Sequence, residues 1–370
     1  MKKLGFGCMR LPLLDGNDHK SFDKEQIFKM VDTYMEKGFT YFDTAYMYHA
    51  GASENMVKEA VVDRYPRDSF QLATKLPTMM LKETEDSPRI FNEQLEKCGV
   101  KYFDYYLLHC LTKDNYEICN RLSVFEFANE KKREGAIKKL GFSYHDNAEL
   151  LDEILTAHPE MEFVQLQINY LDWENDWVQS RKCYEVAVKH GKDVIVMEPV
   201  KGGALADVPK RGEVLLKEKE PQMSVASWAI RFAASLDKVF MVLSGMSNID
   251  QLNDNTSYME DFKPLTKEET ELCFKVADII NATISVPCTA CRYCVDDCPM
   301  TIAIPEYFAL LNAQQRGDDD TAIQKKKEYD ELITSHGAAS SCIGCKQCEE
   351  HCPQHIDITK FLGIVAEKFE

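Results

Sequence analysis

The sequence predicts an α/β fold in two parts, a (β/α)8 barrel followed by a small, mainly helical domain rich in cysteine. Three observations predict it. Eight short apolar runs alternate with stretches of helical period over roughly 260 residues, the rhythm of a barrel whose strands are covered on both faces. The first run lacks the G-x-G-x-x-G fingerprint that usually follows the first strand of a doubly wound sheet. Gly5 and Gly7 lead instead into Cys8, Met9, Arg10 and Pro12, which do not open a helix. The composition then changes near residue 285, beyond which eight of the 14 cysteines fall between Cys288 and Cys352.

In chain order, the runs read as buried strands are Leu4–Cys8, Phe39–Asp43, Phe70–Thr74, Phe103–Leu108, Ile137–Phe142, Phe163–Gln167, Val194–Met197 and Val239–Leu243. They are aliphatic or aromatic at most positions and lack the polar alternation of a one-sided sheet. Between them, Lys24–Glu36 carries Ile27, Phe28, Val31 and Tyr34 at helical spacing. Ser53 is read as the N-cap of a second helix. Ser224–Ala234 and Asn248–Asn255 are two more helices. Gly38, Gly99, Gly135 and Gly191 each follow a helix and precede a strand, where a left-handed residue closes the helix. The barrel is set at 1–262, a helical linker at 263–285 and the cysteine domain at 286–370. Within the last, Pro305–Gln315 and a stretch around Thr321–Thr334 read as helices, and the charge run Arg316–Tyr329 as a solvated loop and helix face.

The 370 residues are 45% hydrophobic and 28% charged, an ordinary globular balance. With 44 Lys and Arg against 61 Asp and Glu, the net charge of −17 repels nucleic acid and anionic membrane, and neither is expected as a partner. No apolar run approaches the ~18–20 residues that span a bilayer. Lys2 and Lys3 are not followed by the apolar stretch of an export signal. A cytoplasmic, reducing location and a thiolate-ligated metal site are therefore expected, rather than a disulfide framework.

The cysteines repeat one spacing. Cys288, Cys291, Cys294 and Cys298 before Pro299 read C-x2-C-x2-C-x3-C-P, as do Cys342, Cys345, Cys348 and Cys352 before Pro353. This is the bacterial ferredoxin run, and it points to two 4Fe–4S clusters in a ferredoxin-like domain. Three thiolates at that spacing wrap one face of a cubane, and in two-cluster ferredoxins the fourth ligates the other cluster. One cluster is thus assigned to Cys288, Cys291, Cys294 and Cys352, and the other to Cys342, Cys345, Cys348 and Cys298. Structural zinc more often takes two C-x2-4-C pairs. The segment between Cys298 and Cys342 is longer than in compact ferredoxins, so this resemblance is confined to the motifs. Two one-electron centres make a relay, expected to exchange electrons with a redox partner such as a ferredoxin. The alternative is that they only hold the domain folded.

Catalytic side chains of a barrel come from the C-terminal ends of its strands. Those positions hold Asp43, Lys75 and His109, with Tyr48 in the loop past Asp43. A tyrosine, with a pKa near 10, needs help to act at neutral pH. Lys75 would lower it, Asp43 would hold Lys75 charged, and His109 would orient a carbonyl oxygen. Each residue alone has an ordinary structural reading; the combination at successive strand ends argues for proton delivery to an oxygen while hydride reaches carbon.

Over about residues 1–262 the chain resembles the aldo-keto reductase family, on Asp43-Thr44-Ala45-x-x-Tyr48, Thr74-Lys75 and Tyr105-Tyr106-Leu107-Leu108-His109. The resemblance implies Tyr48 as general acid and hydride from NAD(P)H to an aldehyde or ketone. Its further matches are Gly141-Phe142-Ser143, Gln165 as partner of the nicotinamide carboxamide, Glu198 with Gly202 and Gly203, and Ser244-Gly245-Met246 leading to Gln251 and Asn255. These imply cofactor contacts. Family members that bind the 2′-phosphate typically carry Lys-Ser and a following Arg in the last loop, where this chain has Ser244 to Ser247 and Gln251. Each lost charge-assisted hydrogen bond is worth about 1.5–3 kcal/mol, which leaves the choice of NADPH or NADH open. The whole chain resembles the branch with a C-terminal 4Fe–4S domain. Nicotinamide passes two electrons and clusters one, so a flavin would be a natural mediator, although no flavin motif is readable. Two other readings stay open: an electron-transfer protein with an idle barrel, and a plain carbonyl reductase with structural clusters. Tyr46, Met47, Tyr144, Trp173 and Trp177 read either as an aromatic-lined pocket or as ordinary packing.

Overall fold

A computed structural model describes residues 2–282, 286–295, 298–316 and 319–370. Its strands are β1 (Leu4–Gly7), β2 (Tyr41–Asp43), β3 (Gln71–Pro77), β4 (Phe103–Leu111), β5 (Ile137–Tyr144), β6 (Phe163–Gln167), β7 (Asp193–Met197) and β8 (Val239–Ser244). All pair in parallel and close in sequence order, β1 bonding both β2 and β8. Tyr41, Ala73, Leu107, Phe163, Ile195, Met241 and Leu243 fill the interior. Glycine at 141 lets β6 come close, because a methyl group there would stand 2.3 Å from the Phe163 carbonyl oxygen.

The apolar runs locate every strand but end four of them early, β8 by the single residue Ser244. β3, β4 and β5 run beyond Thr74, Leu108 and Phe142, so that Lys75 pairs with Leu107 and Pro77 with His109 inside the ladder. A lysine or histidine interrupts an apolar run, yet here both side chains are buried and the backbone pairing continues beneath them.

The first helix, Lys24–Glu36, is capped by Asp23, whose carboxylate accepts from the Gln26 amide at 3.0 Å. Ser53 departs from its expected capping role. Ala52 precedes the Ser53–Val57 helix without a side-chain cap. The Ser53 hydroxyl instead donates to the Cys8 carbonyl at 3.2 Å and shares a 2.9 Å hydrogen bond with Thr44.

Contacts divide the chain into two compact units, Met1–Pro199 with Ala229–Thr266 and Val200–Trp228 with Lys267–Glu370. This differs from a single boundary at 262. Segment 200–228 groups with the second unit because the Lys210–Lys219 helix packs on Lys267–Asn281, where a methyl at Gly212 would stand 3.1 Å from Val276. The Lys267–Asn281 helix occupies most of the expected linker, of which 283–285 lie outside the described residues. In the second unit the Ile304–Arg316, Asp319–Leu332 and Ile358–Phe369 helices enclose Tyr307, Phe308, Leu311, Tyr329, Leu362 and Phe369. Along the charge run, Lys325 pairs with Glu328 and Lys326 with Asp330, while Gly317 and Asp318 lie outside the described residues. Among the described residues no helix is long and apolar enough to cross a membrane.

Candidate active site and cysteine cavities

The four residues expected at the barrel mouth come together in the first unit. Asp43 is the last residue of β2, Lys75 lies within β3 and His109 within β4. The Lys75 ammonium donates to Asp43 Oδ1 at 2.5 Å, to the Thr44 carbonyl at 2.8 Å and to the Tyr48 hydroxyl at 3.3 Å. Lys75 is 1% exposed and Asp43 2%. Tyr48 is carried by the turn after β2, which is tied at its far end by the Ser53 hydroxyl. Its ring meets His109 edge to face, with centroids 6.1 Å apart and planes at 82°. His109 is buried and precedes Cys110, a left-handed residue (φ 60°) where the β4–β5 register shifts. The Ser143 hydroxyl accepts from the Cys110 amide at 2.7 Å and fixes that bulge.

The electrostatics correct one expectation. Burial, and next the Asp43 carboxylate, raise the Tyr48 hydroxyl well above the ordinary tyrosine value. Lys75, 3.3 Å away and ion-paired with Asp43 at 2.5 Å, does not outweigh those two influences. The resting phenol therefore holds its proton. Burial also raises the Asp43 carboxyl, against the pull of Lys75. Burial, then the charges of Lys75 and His145, push His109 well below its usual range, so the imidazole is neutral at pH 7.

The residues expected to contact a nucleotide divide into two sets. Ser143 and Gln165 are neighbours across β5 and β6, and Gln165 is 2% exposed with its Oε1 lacking any hydrogen-bond partner. Such an orphaned buried amide fits a carboxamide that would complete it. The Glu198 backbone is left-handed (φ 55°), and its carbonyl accepts from Asn169 at 3.1 Å. Ser244 ends β8 and accepts from Asn255 at 2.9 Å, Asn255 accepts from Tyr258 at 2.6 Å, and Gln251 accepts from the Ser247 amide at 2.7 Å. Met246 is buried. These groups shape the loop after β8. Gly202 and Gly203 belong to the second unit. A methyl at Gly202 would stand 2.2 Å from the Thr289 carbonyl oxygen, whereas one at Gly203 would meet open space. Gly202 thus packs closely on the cysteine segment.

Arg10 was not singled out by the motifs. A methyl at Gly245 would stand 3.2 Å from its Cδ, and its carbonyl accepts from Ser247 at 2.9 Å. The structure thereby brings a cationic side chain to the loop whose expected lysine and arginine are missing. Its place three residues past β1, at the strand-end position, was the available signal. Tyr144 and Trp173 serve packing: Tyr144 donates to the Asn147 carbonyl and Trp173 lies on Tyr184 and Phe232. Tyr46 donates to Glu93, while Met47 and Trp177 are exposed.

In the second unit all eight motif cysteines line two cavities. One is bordered by Cys288, Cys291, Cys294 and Cys352. The other is bordered by Cys298, Cys342, Cys345 and Cys348. Each takes three cysteines of one motif and the fourth of the other. Among the described residues no three His, Cys, Asp or Glu side chains gather as a single ion requires. Thiols spread round a cavity suit a multi-iron cluster. Burial pushes Cys288 up to about 12 and Cys348 to about 11, so thiolates there need a strong cationic partner.

The model of the aldo/keto reductase family matches residues 3–278. The chain belongs to the aldo/keto reductase family. A second model, of the 4Fe-4S dicluster domain, matches residues 287–356. This aldo/keto reductase is 29% identical over 187 residues to a probable aldo-keto reductase of Glycine max, which spans 48% of this chain and 50% of that protein. It is 26% identical over 266 residues to an uncharacterised oxidoreductase of Schizosaccharomyces pombe, covering 69% of this chain and 80% of that one. Among solved structures, an aldo-keto reductase of Bacillus halodurans in its holo form superposes with a TM-score of 0.60 at 26% identity, over 74% of this chain and 91% of that one. This member of the family is thus an oxidoreductase that carries an iron–sulfur dicluster domain at its C-terminal end.

Proposed function

We propose that this aldo/keto reductase interconverts an aldehyde or ketone and its alcohol with NAD(P)H at the barrel mouth, and that its eight motif cysteines hold two 4Fe–4S clusters. The observation that carries the proposal is the buried Lys75 ammonium, 2.5 Å from Asp43 and 3.3 Å from the Tyr48 hydroxyl. A nicotinamide, when bound, supplies hydride to the carbonyl carbon. Tyr48 donates a hydrogen bond to the carbonyl oxygen and gives up its proton as that oxygen becomes an alkoxide, a far stronger base than phenolate. Lys75 stabilises the phenolate left behind, and Asp43 holds Lys75 in place. Neutral His109 orients the same oxygen through a ring N–H. In alcohol oxidation each transfer runs backwards. Gln165 would receive the carboxamide, and Arg10, beside Gly245, would offer a cation to the nucleotide's phosphates.

The cysteine sets 288, 291, 294, 352 and 298, 342, 345, 348 bind one cluster each, which carries one electron at a time. A ferredoxin-like protein is the partner that fits such centres. The decisive experiment is anaerobic purification with analysis for iron, sulfide, nucleotide and released flavin, followed by assay of carbonyl-dependent NAD(P)H consumption. About eight irons per chain and turnover without flavin are expected. No turnover over a broad set of aldehydes and ketones would reject the carbonyl site. Clusters, once reduced, that neither nucleotide, substrate nor ferredoxin reoxidises would leave them a structural role only.

Gln165→Leu is expected to weaken NAD(P)H binding about 3- to 10-fold, the worth of one ordinary hydrogen bond. Folding should be little changed, because Oε1 has no partner within the protein to lose. An unchanged dissociation constant, measured by fluorescence titration, would remove Gln165 from the cofactor site.

A further inference from the structure

The chemistry proposed for the barrel makes no use of one fully buried carboxyl in the first unit. Glu54 lies on the Ser53–Val57 helix that follows the Tyr48 turn and is 0% exposed. Its Oε1 accepts from the Thr74 hydroxyl at 2.7 Å and from the Gln94 side-chain amide at 2.8 Å, while Oε2 has no hydrogen-bond partner. The same Gln94 nitrogen donates to the Lys75 carbonyl at 3.0 Å, and Gln94 Oε1 accepts from the Tyr106 hydroxyl at 2.6 Å. Thr74, Gln94 and Tyr106 are themselves buried. One carboxyl oxygen thus joins the helix after Tyr48 to β3, to the Asp86–Cys98 helix and, through Gln94, to β4.

Packing alone would favour an apolar residue at this position, because a buried carboxyl with an orphaned oxygen destabilises a core. Burial raises the Glu54 carboxyl above its usual range, against the hydrogen bonds from Thr74 and Gln94, and the charges that reach it, Lys97 and Glu93, oppose each other. What a carboxyl provides here, and an apolar side chain cannot, is one acceptor for two donors on different elements. Both donors adjoin the site. Thr74 precedes Lys75 in β3, and Gln94 holds the Lys75 carbonyl itself. Next to Glu54, Ser53 shares a hydrogen bond with Thr44, whose carbonyl receives the Lys75 ammonium. The Lys75 side chain therefore spans two anchored backbones, and its 3.3 Å reach to Tyr48 depends on their spacing.

We infer that Glu54 is a positioning residue of the carbonyl site. Through Thr74 and Gln94 it fixes the Thr74–Lys75 backbone against the helix that follows the Tyr48 turn, and so sets the separation between the Lys75 ammonium and the Tyr48 hydroxyl. This inference rests on the carbonyl reading above.

The test measures reduction of benzaldehyde, or of the best carbonyl compound in the set above, by the full chain in H2O and in D2O. Circular dichroism and NAD(P)H affinity are read on the same samples. Glu54→Leu should lower kcat at least tenfold with the NAD(P)H dissociation constant unchanged, since a misplacement of ~1 Å can cost ~100-fold in rate. The solvent deuterium isotope effect should rise, because a displaced Lys75 makes proton transfer from Tyr48 the slow step. A smaller share of folded molecules would lower the rate without moving that ratio. Glu54→Gln keeps an oxygen to accept from Thr74 and Gln94, and should restore kcat to within about threefold of wild type. Gln94→Met, which releases the Lys75 carbonyl, provides a second variant should Glu54→Leu fail to fold, and it should move both quantities in the same direction. A folded Glu54→Leu protein with an unchanged isotope effect, or a Glu54→Gln protein as slow as Glu54→Leu, would overturn the inference while the carbonyl site stands. Wild-type protein that reduces no aldehyde or ketone would instead overturn the carbonyl reading itself.

Discussion

Replacing Tyr48 with phenylalanine is expected to lower carbonyl reduction about 10²–10⁴-fold, while NAD(P)H affinity and cluster absorbance stay at wild-type values. The size follows from the geometry. Tyr48 is the proton-bearing group beside the Lys75 ammonium, and the ring left by the substitution still fills its place against His109. The loss therefore falls on proton delivery and not on packing. The pH dependence has a definite sign. Because burial and Asp43 raise the phenol, it stays protonated at all pH values below its ordinary value of about 10. Because burial, Lys75 and His145 lower His109, that ring is uncharged down to at least its ordinary value of about 6.5. The reduction rate should thus be level from about pH 7 to about pH 10, whereas alcohol oxidation, which needs the phenolate as base, should climb with pH. A Tyr48→Phe enzyme within about tenfold of wild type, or a reduction rate that falls between about pH 7 and about pH 8, would remove Tyr48 as the acid.

Periodicity revealed more about the barrel than about its surroundings. Strand positions followed from apolar runs because a strand covered on both faces has nowhere to put polar residues. The same rule explains the early ends of β3 and β4. Lys75 and His109 are polar residues that the ladder tolerates only because Asp43 and the site around them take up their polarity. The coming together of Asp43, Tyr48, Lys75 and His109 was legible because strand ends of a closed barrel must converge. What sequence order could not show was use made of a residue by a distant partner. Ser53 had the chemistry of a cap but was drawn to Cys8 and Thr44. Gly202, read as a cofactor-contact glycine, also packs closely on the Thr289 carbonyl. Lys75 was expected to bring Tyr48 below its ordinary value, yet burial and the Asp43 carboxylate outweigh it and the phenol is raised. Such outcomes depend on distance and burial, to which spacing along the chain is blind.

Cysteine replacements should produce the largest change in the second unit, and they distinguish crossed from local ligation. The cavities pair Cys352 with Cys288, Cys291 and Cys294, and Cys298 with Cys342, Cys345 and Cys348. Each single change, Cys291→Ala or Cys352→Ala, is expected to reduce iron from about eight to about four atoms per chain. The double variant decides the matter. If both residues serve one cluster, Cys291→Ala with Cys352→Ala still retains about four irons, whereas ligation within each motif would spread the damage over both clusters and leave almost none. Stability should fall with the iron. Structural metal sites can contribute on the order of 10–16 kcal/mol of folding free energy in small domains, and the wall of this cavity is built from Ile304, Phe308, Ile356 and Ile358, which belong to the core of the same unit. Loss of the Cys352 cluster should therefore loosen the Ile304–Arg316 and Ile358–Phe369 helices, read as faster amide hydrogen exchange there, with the barrel strands protected as before. A double variant stripped of iron would refute the crossed assignment, and unchanged exchange in those helices would show that the apolar core holds this unit without its cluster.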